Sequence, residues 1–322
     1  MDVKISKVAK MNEKNRYVNN YIDETKISKV KFFKFFFANI FDPPNKKKFP
    51  ETKISKIIYE NEKHLLTWFG HSTFLYQNTN LNILIDPHLT SRASPFSYIG
   101  PKRYMPSLLD EDNLPQIDIV AVSHNHYDHL DIDSLKIINK KFPNVLFFVP
   151  LGDKELLTDN GIKNVREFDW WESIMVNETK ISFTPVQHWS KRTLFDRNKS
   201  LWGGWWVEYL GKKFLHLGDT GYTKDFVDIK NRLGSPDIVA IPIGAYKPRY
   251  IMKNSHLNPE EAVKTFIDLD AKLAVAMHWG TFILSFEPVD EPPKKLKENL
   301  LKYGVDENRF RVLRHGESII LD

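Results

Sequence analysis

From residue 65 onward, short apolar runs alternate with segments of helical spacing. The apolar runs predict strands at 65–69, 81–85, 117–123, 145–149, 180–184, 205–209, 213–217, 238–241 and 273–277. Helical spacing falls at 133–141, 154–160, 259–269 and 293–303. The third helix has a defined start: Asn258 can cap it, Pro259 suits its first position, and Glu260 and Glu261 favour its positive end. Strands alternating with helices indicate an α/β layered domain. No repeat recurs at a period of ~20–50 residues, and no Gly/Ser linker divides this body.

Before residue 65 the pattern changes. Residues 31–41, rich in phenylalanine, reach about half the ~20 residues of a membrane span. Read as a helix they present a broad Phe face flanked by Lys29, Lys31 and Lys34, the composition of an interfacial anchor, although the same face suits packing on the protein's own core. The first thirty residues lack the apolar stretch of a secretory signal, so an intracellular, peripherally membrane-associated protein is expected. Charge separates the same segment: residues 1–63 hold 15 Lys and Arg against 8 Asp and Glu, the remainder 31 against 33. The overall +5 therefore belongs to an N-terminal unit, 1–63, and the 64–322 body is slightly acidic, which argues against nucleic acid as a partner. Length, 322 residues, and a 42% hydrophobic composition exclude disorder and fibrous classes. With no cysteine, a metal must be held by His, Asp or Glu.

The candidate chemistry begins where the run at 117–123 ends, in His124-Asn-His126-Tyr-Asp128-His129. Side chains two apart on extended chain share a face, so His124 and His126 can grip one metal, and the following turn offers Asp128 and His129 to a second. Eleven histidines in 322 residues make three within six positions improbable by chance. Three further apolar runs lead into His188, Asp219 and His278. Ligands of open α/β sheets gather outside the carboxyl ends of strands, so these can converge with the first motif. Five His and two Asp suit two divalent ions about 3.5–4 Å apart. All-N/O ligation favours two Zn2+, with iron or manganese as alternatives.

This set resembles the metallo-β-lactamase superfamily. Trp68-Phe-Gly-His-Ser-Thr73, Ser123-His-Asn-His-Tyr-Asp-His-Leu-Asp131, Gln187-His-Trp-Ser-Lys-Arg-Thr193, Gly218-Asp-Thr-Gly-Tyr222 and His278-Trp-Gly-Thr-Phe282 narrow the resemblance to its N-acylphosphatidylethanolamine-hydrolysing phospholipase D family. The resemblance implies an αββα sandwich of two similar halves and a homodimer. It implies His124, His126 and His188 on one zinc, Asp128, His129 and His278 on the other, and Asp219 bridging. It further implies hydroxide attack on the phosphorus of a phospholipid, releasing N-acylethanolamine and leaving phosphatidic acid, with His256 at the phosphate or the leaving group. Asp128 can also orient the hydroxide.

Around this set, Tyr127 is a candidate substrate contact, and Trp170, Trp171, Trp202, Trp205 and Trp206 are candidates to line an acyl groove, although strand aromatics more often fill cores. Arg103, Lys191, Arg192 and Arg249 are candidate phosphate contacts. His71 and Asp86 are expected to orient ligands and His216 to lie in the core. The competing reading is a hydrolase of the same fold acting on a lactone or soluble phosphodiester, since fold does not fix function.

Overall fold

The computed structural model describes residues 9–22 and 64–321. The body opens with an antiparallel meander of β1 (Leu65–Gly70), β2 (Thr73–Asn78) and β3 (Leu81–Ile85). Parallel strands β4 (Ile119–Ala121), β5 (Leu146–Pro150) and β6 (Val165–Phe168) extend it, with helices α1 (Ile132–Lys141) and α2 (Lys154–Thr158) in the crossovers. The second sheet repeats the plan. Strands β7 (Ser173–Val176), β8 (Thr179–Thr184), β9 (Gly204–Tyr209) and β10 (Lys212–His216) form the antiparallel part. Strands β11 (Ile238–Pro242), β12 (Leu273–Met277) and β13 (Phe310–Arg311) add in parallel, with helices α3 (Asp225–Leu233), α4 (Arg249–Met252), α5 (Pro259–Leu269) and α6 (Glu291–Lys302) between them. The last strand, β14 (Ser318–Ile320), returns to pair antiparallel with β1, so the chain's end ties the two halves together. Each sheet has seven strands, in the orders β14-β1-β2-β3-β4-β5-β6 and β13-β12-β11-β10-β9-β8-β7. This is the metallo-β-lactamase αββα sandwich expected from the sequence.

Strand alternation sorts the core into layers. Leu66, Trp68, Phe74, Tyr76, Ile83, Ile85, Ile119 and Ala121 join Trp205, Val207, Phe214 and Leu215 in one cluster shared by the two sheets. Leu75, Leu84, Val120, Phe147 and Val149 face the other way and are covered by Leu135 and Ile138 of α1. Trp205 joins the layers: fully buried on β9, it packs on Phe148, Phe168 and Phe183 and donates from Nε1 to the Val122 carbonyl at 3.0 Å. The start of α5 follows its sequence signal. Asn258 accepts from the Glu261 N–H at 2.8 Å and Glu261 accepts from the Asn258 N–H at 3.1 Å, with Pro259 at the first turn.

Two results bear on the N-terminal unit. Residues 9–22 lie against the body, with Ala9 and Tyr17 buried in its larger core cluster, so a boundary at 63 does not separate them structurally from the rest. The Phe-rich stretch 31–41 lies outside the described residues. Among the described residues no helix is long and apolar enough to cross a membrane.

Trp205→Ala should cost ~3–5 kcal/mol in urea unfolding, because it opens a cavity between the sheets and strands a buried carbonyl; an unchanged midpoint would contradict this packing role. A second test concerns Asp153, buried before α2, whose Oδ1 accepts from Asn125 Nδ2 at 2.9 Å. Burial pushes its carboxyl up to about 7, against the pull of that bond. Between its ordinary value near 3.8 and 7 the folded chain holds a proton the unfolded chain has released, so stability falls as pH rises through this window. Asp153→Asn removes that slope: relative to wild type, the variant should gain roughly 3 kcal/mol on going from pH ~5 to pH ~8. Parallel pH–stability curves for the two proteins would show the carboxyl to be ionised throughout.

Candidate metal centre

Strands β1, β3 and β4 share one direction in the first sheet, as do β8, β10 and β12 in the second. Their carboxyl ends meet along one edge of the sandwich. His71 follows β1, Asp86 follows β3, His124 to His129 follow β4, His188 follows β8, Asp219 follows β10 and His278 follows β12. The backbone there is strained: His71, Asp86, Ala245 and His278 all have positive φ, at 50°, 44°, 59° and 58°. Gly244 permits the closest approach, since a Cβ on it would stand 2.1 Å from the His278 carbonyl oxygen.

The side chains form two groups that share Asp219 Oδ2. In the first, His126 Nδ1 lies 2.9 Å from His124 Nε2 and 3.2 Å from His188 Nε2, and Asp219 Oδ2 lies 3.9 Å from both Nε2 atoms. In the second, Asp128 Oδ2 is 3.4 Å from His129 Nε2 and 3.3 Å from His278 Nε2, while Asp219 Oδ2 is 3.3 and 3.1 Å from the same nitrogens. A tetrahedral shell with bonds of 2.0–2.1 Å sets neighbouring ligand atoms roughly 3.4 Å apart. Both groups therefore have the dimensions of a divalent-ion shell, and all seven residues expected from the sequence converge here.

Hydrogen bonds on the far sides of the rings decide which nitrogen faces inward. Asp86 Oδ2 accepts from His129 Nδ1 at 2.7 Å and from Ser123 Oγ at 2.6 Å, and its Oδ1 accepts from the Ser123 N–H at 2.7 Å. With its proton committed to Asp86, Ser123 Oγ accepts from His124 Nδ1 at 3.0 Å. His188 Nδ1 donates to the Ser255 carbonyl at 2.9 Å. In His124 and His188 Nε2 is thereby left as a bare acceptor aimed at the centre, while His129 Nε2 is turned toward Asp128 and Asp219. His71 Nε2 reaches Asp128 Oδ2 at 2.9 Å, the same oxygen that faces His129 and His278, so His71 joins the second His/Asp group, whereas Asp86 holds the rings from behind.

Electrostatics divide the two groups. Burial and neighbouring imidazoles hold His124 and His188 well below the usual histidine range, and burial takes His126 to about 3. Three neutral rings thus crowd their nitrogens together beside a carboxylate, an arrangement that a cation satisfies once His126 carries its proton on Nε2. In the second group burial is outweighed by Asp219 and Asp128: His278 rises to about 9 and His129 lies well above its ordinary value, while both carboxyls stay well below theirs. The centre thus sets two carboxylates and two protonated rings beside three neutral rings, and cation binding there would release protons from His129 and His278.

A cavity of about 500 Å³ opens onto this edge, lined by His126, Tyr127, Asp128, Asp219 and His256 together with Trp189, Met252 and Leu284. His256 Nδ1 stands 3.8 Å from Asp219 Oδ2, and burial holds its ring near 4. Other candidates fall elsewhere. Trp202, Trp205 and Trp206 are core residues, Trp170 is buried with Nε1 bonded to the Trp202 carbonyl, and Trp171 stacks under Arg232 at 4.3 Å. The tryptophan at the cavity is Trp189, beside the expected Tyr127; its ring centroid lies 4.2 Å from that of His126, and its place between His188 and Ser190 was the available signal. Arg249 pairs with Glu261 and Arg103 holds the Thr90 and His88 carbonyls, so these two brace loops; Arg192 donates to the Asn125 and Leu130 carbonyls yet lines the cavity over the Tyr127 ring, as Lys191 does beside it. His216 is buried, as its alternation implies, and bonds the Ser72 carbonyl at 2.9 Å.

Comparison with known proteins agrees with this geometry. Residues 81–279 match the Beta-lactamase superfamily domain. Over 243 residues the chain is 41% identical to N-acyl-phosphatidylethanolamine-hydrolyzing phospholipase D 1 of Caenorhabditis elegans, covering 72% of this chain and 68% of that protein. It is 42% identical over 265 residues to the mitochondrial N-acyl-phosphatidylethanolamine-hydrolyzing phospholipase D of Saccharomyces cerevisiae, covering 80% of this chain but only 56% of the yeast protein. Among solved structures, Igni18, a metallo hydrolase from the archaeon Ignicoccus hospitalis, shares the fold with a TM-score of 0.62 at 24% identity, over 81% of this chain and 99% of its own. The motifs, the fold, the paired His/Asp groups and these identities show that the chain belongs to the N-acyl-phosphatidylethanolamine-hydrolysing phospholipase D family of the beta-lactamase superfamily, a family of metal-dependent hydrolases.

Proposed function

We propose that this chain is a zinc-dependent phosphodiesterase of phospholipase D type that cleaves N-acylphosphatidylethanolamine to N-acylethanolamine and phosphatidic acid. The carrying observation is the pair of ligand groups sharing Asp219 Oδ2 at the floor of the cavity, in a chain 41% identical to a nematode enzyme named for that reaction. His124, His126 and His188 would hold one ion, Asp128, His129 and His278 the other, and Asp219 both. The imidazole and carboxylate donors suit zinc, and iron or manganese accept the same set. A bound metal pair would supply charge neutralisation at phosphorus and hydroxide at neutral pH.

The protein's own groups do the rest. His71, hydrogen-bonded to the Asp128 oxygen that faces the centre, would hold that carboxylate in place. His256, neutral in the resting site, faces the cavity with Nδ1 free of hydrogen-bond partners. An incoming phosphodiester anion raises the pKa of that ring, the direction required of a donor to the departing alkoxide. Tyr127, Trp189, Met252 and Leu284 give the cavity an apolar wall for part of the lipid, and Lys191 adds positive charge at its edge. The basic, Phe-rich N-terminal segment is the proposed contact with the membrane surface that carries the substrate.

Incubation with a phospholipid panel followed by mass spectrometry should yield phosphatidic acid plus N-acylethanolamine. The activity should disappear on chelation, return with zinc and be lost in Asp219→Asn; cleavage confined to lactones or soluble diesters would replace the lipid assignment. Asp86→Asn should lower zinc affinity by ~10–100-fold in a competitive chelator titration, because Asp86 holds His129 directly and His124 through Ser123. Unchanged affinity would show that these rings need no such support.

A further inference from the structure

Residues 9–22 lie as a strap across the outside of the second sheet's site loops. Tyr17 N–H donates to the Asn198 carbonyl at 2.9 Å and Asn198 Nδ2 donates to the Tyr17 carbonyl at 3.1 Å. Further along, Asn20 Nδ2 donates to Asp225 Oδ1 at 2.8 Å, and the Tyr21 hydroxyl donates to Asp228 of α3. Between these ties sits Asn19. Its Oδ1 accepts from the His188 N–H at 3.0 Å, and its Nδ2 donates to the His188 carbonyl at 3.0 Å.

This paired contact reproduces with one side chain what a neighbouring strand would supply. His188 lies four residues beyond the end of β8, where ladder pairing has stopped. Gln187 before it is tied to Gly221 by a single bridge. Asn19 satisfies both backbone groups of His188 and so fixes the peptide planes on either side of its Cα. The far end of the side chain is fixed separately, by Nδ1 on the Ser255 carbonyl. With backbone and ring both held, Nε2 has one position left, facing His126 Nδ1 at 3.2 Å.

We propose that Asn19 is a positioning residue of the metal centre: through the His188 backbone it sets the ligand geometry of the first ion, which makes a residue from the N-terminal segment a determinant of metal affinity. The inference rests on the ligand role proposed for His188. It extends the support of the centre to a residue 169 positions away in the chain.

The test is competitive chelator titration of zinc into the full chain, with circular dichroism and thermal melts on the same samples. Asn19→Ala should weaken one of the two binding events by ~10–100-fold, the range for groups that orient ligands, and leave the other within about twofold. The isosteric Asn19→Asp, which preserves packing but turns an acceptor toward the His188 carbonyl, should show the same selective loss even if the alanine variant folds poorly. Asn20→Ala, which unties the strap from Asp225, should lower the melting temperature while leaving both binding events unchanged. Wild-type zinc affinity in Asn19→Asp, or an equal loss in Asn20→Ala, overturns the positioning role and leaves the metal centre standing. Failure of the wild-type chain to take up zinc, iron or manganese overturns the metal-centre reading and this inference with it.

Discussion

Everything at the site edge depends on one carboxylate. Asp86 ends β3 in a left-handed backbone conformation and accepts three hydrogen bonds, from the Ser123 N–H, the Ser123 hydroxyl and His129 Nδ1. Two of these fasten the loop after β4 to the end of its parallel neighbour, so the position of the histidine loop is set by sheet register and not by its own flexible backbone. The third, together with the Ser123 relay, orients the rings of His129 and His124. A strained aspartate held by two sheet strands thus converts the rigidity of the sandwich into the direction of two imidazole Nε2 atoms.

Given that framework, the protonation pattern follows from distance. Burial lowers every histidine in the cluster, and only those close to both carboxylates escape. His129 and His278 lie within 3.4 Å of Asp128 Oδ2 and of Asp219 Oδ2 and are carried upward. His124 and His188, at 3.9 Å from Asp219 and facing other imidazoles, are not. One half of the centre is therefore charge-balanced by its own protons and the other is a set of unprotonated donors. Two ions bound here would meet unequal proton competition, so they differ in pH dependence even with similar ligands.

The candidate ligands were legible because the chemistry concentrates them at strand ends: apolar run, then His or Asp, four times over. The α/β layering was legible in the same alternation, whereas the two-sheet sandwich came from the family resemblance. What escaped was whatever depends on partners far along the chain. Strand β2, of sequence Thr-Phe-Leu-Tyr-Gln-Asn, is buried on every residue, yet ends in polar groups that find partners: Gln77 bonds Asn82, and Asn78 bonds Thr179 of the other sheet. Helices α3 and α4 and strands β6, β7, β13 and β14 are short or half-exposed, so the window that detects periodicity is longer than the element. Trp202, Trp205 and Trp206 fill the core, while Trp189, hidden by its position inside the ligand motif, faces the cavity. Arg192, at the cavity, and Arg249 both donate to loop carbonyls, a role to which composition gives no clue.

The charge partition at residue 63 is correct as arithmetic and incomplete as anatomy. Residues 9–22 carry Lys10, Lys14 and Arg16 against Glu13, and they are docked on the body. Arg16 donates to the Phe195 carbonyl, in the same loop that brings Lys191 to the cavity wall. Part of the N-terminal positive charge is therefore delivered to the loop bordering a centre whose proposed substrate is a phosphodiester anion. A slightly acidic body with such a local basic rim would draw the proposed anion to one face without the general affinity for polyanions that a uniformly basic surface would bring, an attraction screened over a Debye length of about 8 Å at physiological salt.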